Sequence, residues 1–230
     1  MFDYPKHPSN RNLSLYLYSK YQSFPVMSER GALIAEYVEE GFRSFLWAIN
    51  RQVRTAMFRF DLRFPQDYGN AFNEGMINSF TRGLKEFIEQ DQLEKLRSGK
   101  RVHKTEVNYL WVKEYGRASG RPHYHFALFL NKDAYMTLGR FGGRDNLYEL
   151  IAKAWADAIG YPYYPAQRLV HACSNPKYCQ KPVEYIDLNN TSADEQIGDA
   201  FYRLSYLFKA ETKKFGRGCR NFGSSLGQTA

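Results

Sequence analysis

A chain of 230 residues with 43% hydrophobic content has apolar material for one sizeable core, and its length suits one embellished domain better than two. A formal net charge of +8 raises the odds of a polyanionic partner such as nucleic acid. No apolar run approaches the ~18 residues of a membrane span, the N-terminus lacks the apolar core of a signal peptide, and Cys173, Cys179 and Cys219 lack the CxxC pairing of a zinc knuckle. Neither a membrane protein nor a disulfide scaffold is indicated, and a reducing, cytoplasmic compartment is expected. Aromatic residues make up 17% of the chain, a mixture that suits sheets with stacking platforms for unpaired bases.

Residues 1–28 carry Pro5, Pro8 and Pro25 and read as an arm laid over the domain. From Glu29 to Asn50 the residues Leu33, Tyr37, Val38, Phe42, Phe45, Leu46 and Ile49 recur at helical spacing. Met57 to Phe64 then alternates Phe58, Phe60, Leu62 and Phe64 with Arg59, Asp61 and Arg63, the period of a half-buried strand. A second helix runs from Asn70 to Lys95, and the basic loop RSGKRVHK follows. Two strands, Tyr109–Tyr115 and His123–Leu130, flank the loop GRASGRP. A helix over Asn146–Ile159, a short strand over Arg168–Ala172 and a last helix over Ala193–Lys214 complete the predicted domain, residues 29–215, before a Gly-rich basic tail, residues 216–230. This order fits an α+β fold: a mainly antiparallel sheet with helices packed on one face and the other face open to a ligand.

The most specific feature is His123-Tyr124-His125 at the start of the apolar strand FALFL. Side chains two apart on a strand project from the same face, so both imidazoles can reach one metal. If the preceding loop is symmetric, Glu114 lies opposite His123 and adds a carboxylate on that face. Two imidazoles and a carboxylate suit Mn or Mg, and equally Zn or Fe(II). His7, His103 and His171 lack such company and read as ordinary residues.

In the last predicted helix Tyr202 and Tyr206 are four apart, with Lys209 and Lys213 three and seven beyond Tyr206, which places these groups on one helical face. A nucleophilic phenol, with a reference pKa of about 10, needs positive charge nearby. Lys209 is placed to supply it.

Together these residues resemble the HUH endonuclease superfamily, in particular the inovirus-type replication initiators and the related YagK/YfjJ-like bacterial proteins. Three blocks carry the likeness: MFRFDLRFP at 57–65, YLWVKEYGRASGRPHYHFALFLNKDAY at 109–135, and RLSYLFKAETKKFGRGCRNFGSS at 203–225. The resemblance implies an HUH/RRM-like sheet with the metal site on its open face. It also implies a nicking and joining enzyme for rolling-circle replication of a filamentous-phage-like element in a bacterial host. Such an enzyme cuts a single DNA strand at an origin, holds the 5′ end as a phosphotyrosine and leaves a 3′ hydroxyl. By that likeness His123 and His125 hold Mg or Mn with Glu114 as third ligand, Tyr206 is the nucleophile, Lys209 its helper, and Tyr202 an auxiliary or structural residue. No GxxxxGK[ST] loop is present, so a host helicase and polymerase are expected as partners. Arg59, Arg63, Lys213 and Arg217 are candidate DNA phosphate contacts.

Three rival readings stay open at this stage. One is a single-stranded nucleic-acid-binding module whose histidines are incidental. The second is a relaxase or transposase of the same superfamily, and the third a metal hydrolase that uses bound water as nucleophile.

Overall fold

The computed structural model describes residues 4–69, 72–73, 75–116, 119–174, 182–216 and 220–226. At the N-terminus β1 (Lys6–His7) and β2 (Asn10–Tyr16) form an antiparallel pair, β3 (Lys20–Tyr21) and β4 (Phe24–Pro25) a second, and β5 (Leu33–Ile34) joins β2 through Leu15 opposite Ile34. Helix α1 (Ala35–Arg51) therefore starts later than its periodicity suggests, because Leu33 and Ile34 are taken up by strand pairing. There follow β6 (Arg54–Leu62), α2 (Gly75–Arg97), β7 (Asn108–Tyr115), β8 (Pro122–Asn131) and α3 (Leu147–Ile159). The last of these is capped at both ends: the Asn146 side chain accepts the Glu149 N–H at 2.9 Å, and Gly160 leaves the helix in the left-handed region at φ 63°. Then come α4 (Tyr163–Ala166), β9 (Val170–Ala172), β10 (Val183–Asp187), α5 (Ala193–Ser205) and β11 (Phe222–Ser224). No described helix is long and apolar enough to cross a membrane.

The main sheet runs β10-β6-β8-β7-β11, and β9 pairs with β6 along the edge that β10 also uses. Every pairing in it is antiparallel. The outer strand β11 comes from the Gly-rich tail, and Gly223 is required there: a Cβ would stand 2.6 Å from the Trp111 ring.

Helices cover both faces of this sheet, which corrects the expectation of helices on one face only. On one side α2 and α3 pack on Phe58, Phe60, Tyr109, Trp111, Tyr124 and Phe126. On the other, α1 and α5 pack on Met57, Leu110, Ala127 and Phe129. The physical reason lies in the strands themselves. YLWV in β7 and FALFL in β8 are apolar at consecutive positions, as buried strands are when both faces are covered. At the end of the α1/α5 face beyond Met57 and Ala127 the registers are occupied by Arg59, Asp61, Glu114, His123 and His125.

Candidate active site

At that end the strand register brings four titratable side chains together. Glu114 of β7 lies opposite His123 of β8, and His125 lies opposite Asp61 of β6. Since β8 is the middle strand, both histidines and both carboxylates project from the same face. His123 Nε2 and His125 Nε2 are 3.2 Å apart, and His125 Nε2 is 3.3 Å from Glu114 Oε2. Two donor atoms at about 2.1 Å from one ion are separated by roughly 3.0 Å at a right angle and 3.4 Å at the tetrahedral angle. The spacing observed here lies between those values. The ligand atoms of Glu114, His123 and His125 all lie within 4.8 Å of one another, and this group is able to hold a metal ion.

His125 and Glu114 are each oriented from behind. His125 Nδ1 lies 2.5 Å from Asp61 Oδ1, so Nδ1–H donates to the carboxylate and Nε2 faces Glu114 and His123, carrying a proton in the charged imidazolium and a lone pair in the neutral form that metal-bound imidazoles use. Burial pushes the His125 pKa down, but the bonds to Asp61 and Glu114 outweigh it and the net shift is upward. Burial and the charge on His125 hold His123 below its ordinary value, which favours the neutral, ligating form. Burial works against ionisation of Asp61 and Glu114, yet His125 beside both, with Arg59 near Asp61 and Lys213 near Glu114, keeps the two carboxylates ionised well below the usual range.

Glu114 Oε1 accepts from Lys213 Nζ at 3.0 Å, and the same ammonium donates to Leu207 O at 2.9 Å and Lys209 O at 2.5 Å. An ammonium has three donors, and all three are used internally. Lys213, whose side chain is 0% exposed, is therefore not the phosphate contact that its sequence position suggested. It is the counter-charge beneath the Glu114 ligand. Burial lowers its pKa and Glu114 opposes that shift.

The tyrosine reaches this centre by a route the periodicity did not suggest. Helix α5 stops at Ser205 and does not run on to Lys214; a 3-10 turn over Tyr206–Phe208 follows, and Lys209 turns into extended backbone at ψ 138°. Tyr206, Lys209 and Lys213 thus do not share a helical face. The turn is fixed on both flanks. Ser205 Oγ accepts the Met27 N–H at 2.8 Å and donates to Tyr202 O at 2.7 Å, while Leu207 and Phe208 are fully buried. Phe208 lies so close to α1 that a Cβ on Gly41 would stand 2.1 Å from its ring. Held in this way, the Tyr206 ring meets His125 edge-on at 6.1 Å between centroids. Lys209 Nζ lies 3.9 Å from the Tyr206 ring centroid and the Arg59 guanidinium 5.6 Å from it. The Tyr202 hydroxyl is turned elsewhere and donates to the Glu29 carboxylate.

Residues 18–225 match the YagK/YfjJ C-terminal domain family. The chain belongs to this family. It is similar to YagK of Escherichia coli (strain K12), described as an uncharacterized protein, at 34% identity over 203 residues, which cover 85% of this chain and 94% of YagK. The likewise uncharacterized YfjJ of the same organism is 31% identical over 212 residues, 87% of this chain and 98% of YfjJ. No solved structure matches the chain.

In this YagK/YfjJ family member the remaining candidates fall as follows. Arg59 and Arg63 line a cleft of about 290 Å³ that Tyr206, His125 and Asp61 also line. Arg63 is exposed, whereas Arg59 is buried and donates through Nη1 to Arg203 O at 3.0 Å. Arg217 lies outside the described residues. The sequence reading overlooked Asp61, which alternation assigned to a half-exposed face, and Arg203, which reads as an ordinary helix cation; the signal for Asp61 was its place opposite His125, visible only once β6 is paired with β8. His171, which read as an ordinary residue, lies opposite Asp61 in β9 and lines the same cleft.

Proposed function

We propose that this protein nicks and rejoins single-stranded DNA through Tyr206, with Mg or Mn held by Glu114, His123 and His125, and so initiates rolling-circle replication of a filamentous-phage-like element. The observation that carries this reading is the placement of a phenol, pinned on both flanks and set beside a cation, edge-on to a His, His, Glu ligand set. It supports the resemblance to the HUH endonucleases that the three sequence blocks suggest.

In this reading Lys209 and Arg59, whose cations lie 3.9 Å and 5.6 Å from the Tyr206 ring centroid, supply positive charge beside the attacking phenol, whose proton leaves to solvent. The phenolate oxygen forms the new bond to phosphorus as the bond from phosphorus to the 3′ oxygen breaks. The 5′ end stays on the protein as a phosphotyrosine and the other strand end takes up a proton as a free 3′ hydroxyl. Glu114, His123 and His125 would hold the divalent ion, which would supply Lewis-acid stabilisation of the charge that develops on the phosphoryl and departing oxygens. Asp61 and Lys213 keep the ligand atoms aimed while this happens. Because joining is the reverse of the same exchange, the energy of the cut bond is conserved in the phosphotyrosine. A separate helicase and polymerase would unwind the duplex and extend the 3′ end.

The test is incubation of the protein with labelled single-stranded DNA from its own genetic neighbourhood, in Mn or in EDTA, followed by denaturing electrophoresis. A metal-dependent covalent adduct is expected, reduced more than about a thousandfold in Tyr206→Phe and abolished in His123→Ala. Cutting that persists in Tyr206→Phe would transfer the reaction to a water nucleophile. Binding with no adduct across several metals and strands would leave a binding module.

A further inference from the structure

The cleft beside Tyr206 is unusually rich in guanidinium groups. Arg30, Arg59, Arg63 and Arg203 all line it, with His171 at the wall and Asp61 as the carboxylate in the lining. Asp61 is engaged by His125 Nδ1, by Cys173 Sγ at 3.1 Å and, more loosely, by Arg63 Nη2 at 3.9 Å. Arg203 is paired with Glu184 at 2.6 Å and donates to Cys173 O at 2.5 Å. Both Arg59 and Arg203 are 4% exposed, and Arg59 Nε has no hydrogen-bond partner.

Four guanidinium groups, set against Asp61 in the lining and Glu184 behind Arg203, leave the cleft with a net positive charge that favours an anion. Planar guanidinium groups match the oxygens of phosphate better than those of most other anions. At about 290 Å³ the cleft is at the lower end of ligand-pocket sizes and suits one phosphodiester group rather than several nucleotides.

We infer that the arginine side of this cleft, which adjoins the metal ligands through His125, is a phosphate subsite that holds the phosphate next to the one Tyr206 attacks. That the cleft binds phosphate stands on its lining; which phosphate of a strand it takes rests on the nicking reading above. The subsite sets where along the strand Tyr206 cuts, because a backbone anchored one linkage away can present only one phosphorus to the phenol. Arg59, within 5.6 Å of the Tyr206 ring, belongs to both neighbourhoods.

Arg30 and Arg63 are exposed, so the double variant Arg30→Gln with Arg63→Gln should fold. Metal-free protein in EDTA is titrated with inorganic phosphate, and with short single strands carrying one uncharged methylphosphonate at each linkage in turn. Wild-type protein should bind phosphate, and one methylphosphonate position besides the scissile one should weaken strand binding roughly tenfold. The double variant should lose the phosphate binding and the position-specific penalty, and the salt dependence of strand binding should shallow by about one for each lost arginine. If the double variant binds phosphate and every modified strand as wild type does, the subsite is refuted even where nicking is intact. If no adduct ever forms but phosphate binding still depends on the two arginines, the subsite stands and the nicking reading falls. Phosphate binding with no methylphosphonate sensitivity would assign the cleft to a free anion and overturn its role on the strand.

Discussion

The two faces of the central sheet are built from alternate residues of the same three strands, yet they end differently. Along the α2/α3 face, Phe58, Phe60 and Leu62 of β6 and Tyr124, Phe126 and Leu128 of β8 are apolar from end to end. Along the α1/α5 face the core stops after Met57, Ala127 and Val112, and Arg59, Asp61, Glu114, His123 and His125 take over. One face holds the domain together. The other gives up apolar burial over its last registers to hold a cluster of buried charges that satisfy one another, which is where a fold departs from its best packing to make a site.

That contrast can be attacked where it is largest. Lys213→Met leaves the Glu114 carboxylate buried without its cation, and the metal-free protein should lose about 3–5 kcal/mol of stability by denaturant unfolding; adding Glu114→Gln should restore most of it. A loss under about 1 kcal/mol for the single variant would mean that the pair does not bear on the fold. Next, Asp61→Asn keeps the shape of the support behind His125 but removes its charge. Metal affinity measured by calorimetry should fall about 10–100-fold, with little change in the apolar face, and an unchanged affinity would strip Asp61 of its positioning role.

The acid limb sharpens the same comparison. Asp61 and Glu114 are held below the ordinary carboxylate range by His125, Arg59 and Lys213, so their contribution to stability is complete above the unfolded carboxylate pKa and drains away as pH falls through their lower folded values. Acid unfolding of metal-free wild type should therefore be steeper than that of a Glu114→Gln, Lys213→Met double variant; identical acid limbs would refute the coupling. Smallest of all is Tyr202→Phe, which removes one half-buried hydroxyl that donates to Glu29. It should cost less than about 1.5 kcal/mol and leave adduct formation on Tyr206 intact; loss of the adduct would make Tyr202 part of the chemistry.

Much of the apolar face was legible in advance. MFRFDLRF alternates cleanly, and the hairpin that sets Glu114 against His123 followed from the loop between β7 and β8. What alternation cannot show is what covers a face. Arg59 and Asp61 read as the solvent side of a strand, and both are buried because β9, β10 and the turn at Tyr206 close over them. Strand β10 went unread, since VEYID is short and mixed in polarity. Lys213 read as an exposed helix cation because spacing alone continued the helix past Ser205. Nothing in a spacing pattern distinguishes a lysine facing water from one whose three protons are taken by a carboxylate and two carbonyls.

The closing strand β11 and the order of the chain add a constraint on assembly. Asp61, Glu114, His123 and His125 all precede Tyr206, Lys213 and β11 in sequence, so a growing chain carries these four side chains long before it carries the tyrosine, the lysine or the strand that covers the β7 edge. A ribosome that stalls in between releases a fragment with a carboxylate lacking its cation and a sheet with an open border. Such a fragment is a substrate for proteases and chaperones rather than a half-competent protein, and the last stretch of synthesis acts as the switch between those two fates.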